Sequence, residues 1–436
     1  MIKFIILFVQ LFVLIFLVTY LTSNSFTITF DINELQFVFS SNLFLFFGIL
    51  LFIFIFIIQF FYFKSRYNFQ KYFLLKKNKK LQKGYEYFVE AMIALANKDK
   101  KNAVSASYKM KKLIKDDQSL SLLLNSEIFK IEKKHKELSL LHEQMIKNKN
   151  TEALGYKGLM EENINKEDYH HAFIYAEKLF QLNPNIDKLY HTIVSIISKT
   201  KNWSQLINIS KQAYNKKLID LKLFNQNTAI AFYEISKIKI YSDPEESLNL
   251  ILKAIKLHGQ FPPFIKLHLE ILIMNNEISK IKKIIKRYWN HKPSSSLRII
   301  ISEFLKNHKI TDLENIKYIT KANFDEVESK KLTLDFAIHN SDWQVARENI
   351  KGLISFNPDR EICEFMANIE YGEFNDKQKS DSWMLRAENA RLDEIWICQF
   401  TNLTQSNWSS VSDSGYFNSL EWRRPKMLGT IVLNND

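Results

Sequence analysis

Metal binding and catalysis both need polar side chains at fixed spacing, and this chain offers few places to look for them. Near the carboxyl end, Cys398-Gln-Phe-Thr401 and Val411-Ser-Asp-Ser414 stand where a pair of Cys-x-x-Cys zinc knuckles would stand. Only Cys398 supplies a thiol, whereas a structural zinc site needs four good ligands, so no metal is expected. His170 and His171 are adjacent; on a helix their side chains diverge by about 100° and do not easily share an ion. The 9 glycines build neither a dinucleotide nor a phosphate loop. A nucleophile elbow and a His-Glu-x-x-His pattern are both missing. The sequence therefore names no catalytic residue, no metal ligand, no cofactor and no cofactor-binding residue, and the chain reads as a non-enzyme.

The elements that would position any site are plainer. Leu43 to Ile58 is an unbroken apolar run, extended past Gln59 by Phe60-Phe61-Tyr62-Phe63. About 20 apolar residues cross a bilayer core as a helix. The chain then turns basic at Lys64, Arg66, Lys71, Lys76, Lys77, Lys79, Lys80 and Lys83. Such a flank marks the cytoplasmic side, because Lys and Arg resist translocation. Phe4 to Leu21 is a second apolar run, too long and too poorly followed by small residues for a cleaved signal. Between the runs, Phe26, Ile28 and Phe30, then Leu35, Phe37 and Phe39, alternate with polar residues as a small hairpin would. The expectation is a transmembrane hairpin over 1–63 with an external loop at 22–42. A basic juxtamembrane segment follows at 64–83, with both termini cytoplasmic.

From Gly84 onward the fold is expected to be an all-α tetratricopeptide-type solenoid over 84–392. The chain is poor in breakers, with 9 Gly and 7 Pro. Ala103, Ala172 and Ala346 follow an acid and a short spacer, and their separations are multiples of about 34.5 residues, the tetratricopeptide period. Asn202-Trp203 matches Asp342-Trp343, and Asn183-Pro184 matches Asn357-Pro358. Nine helix pairs result. In the third, Gly155, Ala172 and Ala176 let the two helices approach, Tyr156, Leu159, Phe173 and Leu179 fill the space between neighbours, and an acid caps the second helix. Recurrence at repeat spacing makes Trp203 and Trp343 packing residues. Tyr156, Asn163, Tyr190, Asn225 and His268 are candidates for the concave face. Residues 393–436, with Trp396, Trp408 and Trp422, read as a cap or extension packed by aromatics, followed by a loose end from Arg423.

The net charge is +13, with much of the excess just after the second apolar run. That suits orientation on an anionic bilayer. Nucleic acid is not expected, since no recognised module accompanies the charge. Lys280, Lys282, Lys283, Lys286 and Arg287 form a further patch, by default a solvated face and otherwise a contact for an acidic partner. The 2 cysteines are too few for a disulfide framework and fit a reducing compartment.

Taken in order, these features resemble the bacterial HemY family. The likeness runs from Gly84-Tyr85, Ala91-Met92 and Asp99, through Thr151-Glu-Ala-Leu-Gly-Tyr-Lys-Gly-Leu159, to Trp383-x-x-x-Ala387-x-x-Ala390 and Trp396-x-Cys398. It implies an inner-membrane scaffold linked to late protohaem synthesis, with haem-pathway enzymes as partners and no active site to carry over. A flavin-dependent protoporphyrinogen oxidase bears the same name. It would need a glycine fingerprint near its start, where this chain has a membrane span. The second expectation is an envelope-assembly or quality-control adaptor serving a protease or a lipopolysaccharide enzyme.

Overall fold

A computed structural model describes residues 2–23, 27–32, 35–115, 117–275, 277–354 and 358–425. Contacts divide the chain into two compact units, Met1–Leu141 and His142–Asp436.

In the first unit, α1 (Ile2–Ser23) leads into β1 (Thr27–Ile32) and β2 (Leu35–Ser40). The two strands pair antiparallel from Thr27↔Ser40 to Ile32↔Leu35, which is the expected hairpin. Its turn, Asn33-Glu34, lies outside the described residues. α2 (Ser41–Ala96) then runs for 56 residues, about 84 Å at 1.5 Å per residue. Its apolar half is the one described helix long and apolar enough to cross a membrane. Among the described residues this is one such helix, where the sequence suggested two. The basic 64–83 segment is helical. It is no separate element but the middle of α2, which continues into the first repeat. The reason is local: Lys, Leu, Gln and aromatics all tolerate the helix, and a run of charge does not break it. α3 (Lys100–Leu113) packs back on α2, with Ala91, Ala94, Ala103, Ala106 and Met110 buried between them. Gly84 permits this contact, because a Cβ there would lie 2.3 Å from Ile114. α4 (Gln118–Glu132) completes the unit's core, and α5 (His135–Ile146) crosses into the second unit.

The second unit stacks helix pairs in series. They are α6 (Glu152–Asn165) with α7 (Tyr169–Leu182), α8 (Leu189–Thr200) with α9 (Trp203–Asn215), and α10 (Leu221–Lys239) with α11 (Pro244–His258). Next come α12 (Pro262–Met274) with α13 (Ile278–His291), and α14 (Ser295–Asn307) with α15 (Leu313–Thr320). α16 (Val327–His339) with α17 (Trp343–Lys351), and α18 (Arg360–Phe374) with α19 (Lys377–Glu388), close the series. First helices pack on the first helices of later pairs, α12 on α14, α14 on α16 and α16 on α18. The α14–α15 pair is irregular, because α15 packs mainly on α13 and α16.

The expected caps are present. Asp99, Asp168, Asp342 and Asp376 each accept a backbone N–H at the start of the following helix, at 3.0–3.2 Å. Gly155 serves a different approach from the one expected. Its missing Cβ admits the His142 carbonyl and the Ile146 N–H, each 2.8 Å from where that Cβ would stand. The close contact is therefore with α5, while Ala172 and Ala176 are buried in the core shared with α8 and α9. Of Asn357-Pro358, the asparagine lies outside the described residues.

The tail corrects the all-α expectation. β3 (Ile395–Cys398), β4 (Thr404–Gln405) and β5 (Leu420–Arg423) form an antiparallel sheet of order β4-β3-β5. This sheet does not cap the end of the array. It folds back onto its middle, where Trp396, Trp408 and Leu420 share a buried cluster with Tyr233, Phe264 and Ile271. Nor does the chain loosen at Arg423: that residue pairs with Ile395 across the sheet, and Arg424 reaches Asp359 at 3.1 Å. Residues 426–436 lie outside the described residues.

Candidate functional site

Of the residues expected on the concave face, two are instead internal. Tyr190 is buried, bonded to Ser210 at 2.9 Å and to the Asn227 amide at 2.8 Å. It ties α8 to its own partner helix and to α10. His268 is buried with Nδ1 2.7 Å from the Tyr288 hydroxyl. Burial, with Arg287 nearby, lowers its pKa to about 4, so the ring is neutral. Tyr156 is half-buried against Tyr175, and the Asn163 amide donates to the Leu159 carbonyl. Asn225 is half-buried in α10. The five therefore do not converge on one surface. Residue type and helix phase located them on first helices, but phase does not say how far the next pair covers each helix.

What does converge is a cleft of about 270 Å³ that sequence reasoning missed. One wall is made by three successive first helices: Tyr233 and Lys237 of α10, Lys266 and Glu270 of α12, Ile299 and Glu303 of α14. The other wall is the tail, through Trp396, Trp408 and Trp422. The aromatic rings set the tail's position. Trp408 meets Phe261 at 5.1 Å and Tyr233 at 5.3 Å, edge to face, and Trp396 meets Trp422 at 5.2 Å. The Trp422 indole donates to Ser295 at 2.8 Å and to Glu394 at 3.1 Å. Farther along, Phe417 lies 6.2 Å from Trp203, so that tryptophan packs against the tail as well as within its repeat. Trp343 packs on Gly372, as a packing residue should. The three tail tryptophans were the available signal for this cleft, although their sequence positions do not reveal where they dock.

The cleft carries charged side chains beside its rings. Lys266 pairs with Glu303 at 3.2 Å. Burial raises the pKa of Glu270 and strongly raises that of the Tyr233 phenol, so the phenol stays protonated. The walls thus mix apolar area with matched charge. Farther along the series, first helices are tied by ion pairs. Buried Arg298 of α14 holds Glu328 of α16 at 2.8 Å and Glu361 of α18, and Lys331 reaches Glu361 at 2.9 Å. Burial disfavours the Arg298 cation, but Glu361 and Glu328 outweigh it and raise its pKa.

The knuckle-like positions come together without a ligand set. The Thr401 and Ser414 hydroxyls are 2.9 Å apart, and the Cys398 thiol is 3.4 Å from Ser419 and 3.9 Å from Ser412. Asn402 and Gly415, the residues after Thr401 and Ser414, take positive φ of 58° and 84°. Two tight turns are thus held by hydroxyls. Burial raises the Cys398 pKa, but hydrogen bonds with Ser419 and Thr401 bring it down to about 6. Among the described residues, no three His, Cys, Asp or Glu side chains group to hold a metal. His170 and His171 are exposed, with His171 2.8 Å from Asp168.

No family model and no curated protein matches the chain. Solved structures with some similarity to the chain include Naa15/Naa10 bound to HypK-THB, at 13% identity and a TM-score of 0.34, covering 72% of this chain and 59% of that one. Yeast Tom70 follows at 11% identity and 0.29, covering 70% and 76%. A tetratricopeptide repeat protein from Parabacteroides merdae has 11% identity and 0.27, covering 57% and 93%. The chain spans about three fifths of the first of these.

Proposed function

We propose that this protein is a non-catalytic, membrane-anchored tetratricopeptide scaffold that binds a partner protein in the cleft between its array and its tail. The observation that carries this reading is the cleft itself, walled by α10, α12 and α14 and closed by three tail tryptophans. Repeat arrays bury their own repeat faces and leave extended surfaces that suit polypeptides. Anchoring is supported by α2, whose apolar half passes straight into a basic stretch. A two-pass arrangement with both termini cytoplasmic follows if α1 is the other span. The resemblance to the HemY family points to late haem-pathway enzymes as partners. An adaptor for envelope assembly is the second reading; a complete Cys₄ knuckle at the tail would favour it, and the presence of Cys398 alone among those four positions counts against it.

The test is capture of partners from membranes by the full chain and by Ile299→Glu. Ile299 is exposed and lines the cleft, so a charge there blocks binding without entering the core. The expected result is haem-pathway enzymes retained by the parent chain and lost from the variant. Protease or lipopolysaccharide-assembly factors in their place would select the second reading. Equal capture by both chains would move the site elsewhere.

A further inference from the structure

We propose that the face formed by α13 and α15 docks anionic phospholipid headgroups, through Lys283, Lys286 and Arg287 around the ring of Tyr318. These residues, with Asn290 and Ile284, line an open cleft of about 440 Å³. Lys283, Lys286 and Arg287 lie at i, i+3 and i+4, so α13 presents them on one side. Its other side, Ile281, Ile285, Tyr288 and Trp289, is buried.

The charge here is unmatched. Several other cations of the array do have acids: Lys266 with Glu303, Lys306 with Asp335, Arg347 with Glu370 and Glu373. Within the basic run itself, Lys280 is taken by Glu277 and Lys282 by Asn315, each at 2.7 Å. Among the described residues, Lys283, Lys286 and Arg287 pair with no carboxylate, and no carboxylate lines the cleft. Lys286 is held over the Tyr318 ring at 3.8 Å. Three cations around a cleft without acid suit a phosphate-bearing group.

Two further observations favour a bilayer as its source over an acidic protein. Tyr318 is 45% exposed and Phe324 64% exposed. Phe324 adjoins Asn323, whose amide bonds the Trp289 carbonyl at 3.2 Å, beside the cleft. Basic residues next to exposed aromatics are the pattern of a membrane-surface contact. The same combination occurs in α2, where Tyr67, Phe69, Tyr72 and Phe73 are exposed among Lys64, Arg66 and Lys71.

This inference rests on the membrane-anchored reading, and the experiment reports the two separately. The full chain is placed in nanodiscs of phosphatidylcholine with or without phosphatidylglycerol. A fluorophore is attached at Ala322→Cys, on the exposed turn after α15. The native thiols, Cys363 and Cys398, are buried. Quenching by a headgroup-linked quencher is expected to be severalfold stronger in the anionic discs. Lys283→Gln with Arg287→Gln should return it to the phosphatidylcholine level. Equal quenching in both discs, as an acidic protein ligand would give, overturns the inference. So does an unaffected double variant, and so does displacement by inorganic phosphate beyond that caused by chloride of equal ionic strength. A chain that migrates with the disc yet shows no lipid dependence fails here while anchoring stands; one that does not incorporate sinks both.

Discussion

Arg298 sits almost wholly out of water between Glu328 and Glu361, with Lys331 sharing the second carboxylate. Removing one partner of a buried pair leaves charge that neither water nor protein compensates. Arg298→Met is therefore expected to cost about 3 kcal/mol, and adding Glu328→Leu should recover part of it. Urea midpoints of the three chains check this. His268 gives a pH effect with a definite sign. Its folded pKa is lowered to about 4, against about 6.5 when exposed, so the unfolded chain binds the proton first. Its contribution is full above about pH 6.5 and is lost as pH falls toward 4. The urea midpoint should drop between pH 7 and pH 5, and the drop should shrink in His268→Gln. Gly372 is a steric case. A Cβ there would stand 2.2 Å from the Trp343 ring, so Gly372→Ala should cost about 1–3 kcal/mol, read by thermal melting.

Among elements, the tail is held by rings more than by strands. β4 is two residues long and β3 and β5 are four each, too little sheet to stand alone. Its stability comes from Trp396, Trp408 and Phe417 set against α9, α10 and α12. A chain ending at residue 392 would uncover Tyr233, Phe261 and Phe264. It is expected to bind a hydrophobic dye several times more strongly than the full chain, and unchanged dye binding would show that the tail is not the cover. The helices are otherwise set locally. Asp caps, the alanines at helix-pair contacts and scarce breakers account for the series of helix pairs after Gly84. α2 departs from that plan because nothing between Gln59 and Gly84 stops a helix.

On the scale of the whole molecule, the anchor and the array are separable claims. Alkaline washing should leave the chain in the membrane fraction, and a chain lacking residues 2–63 should be released. Release of the full chain by the wash would remove the anchor without touching the array. The repeat layout was legible because Ala103, Ala172 and Ala346 keep a period that stacking requires. The cleft was not, because it joins Tyr233 to Trp408 across much of the array, and no local pattern encodes that distance. Two concave-face candidates failed for a related reason: Tyr190 and His268 found buried partners on neighbouring helices.

The sequence by itself determined the helical class, the pairing of helices, their caps and the apolar run followed by lysines. Each depends on residues a few positions apart or on one repeating period. Only the tertiary structure decided that the tail is a small sheet, that it returns to the middle repeats, and that Lys283 and Arg287 are left without acids while Arg298 is enclosed by them. Those outcomes depend on which distant surfaces meet, and burial acts on area and shape rather than on order along the chain.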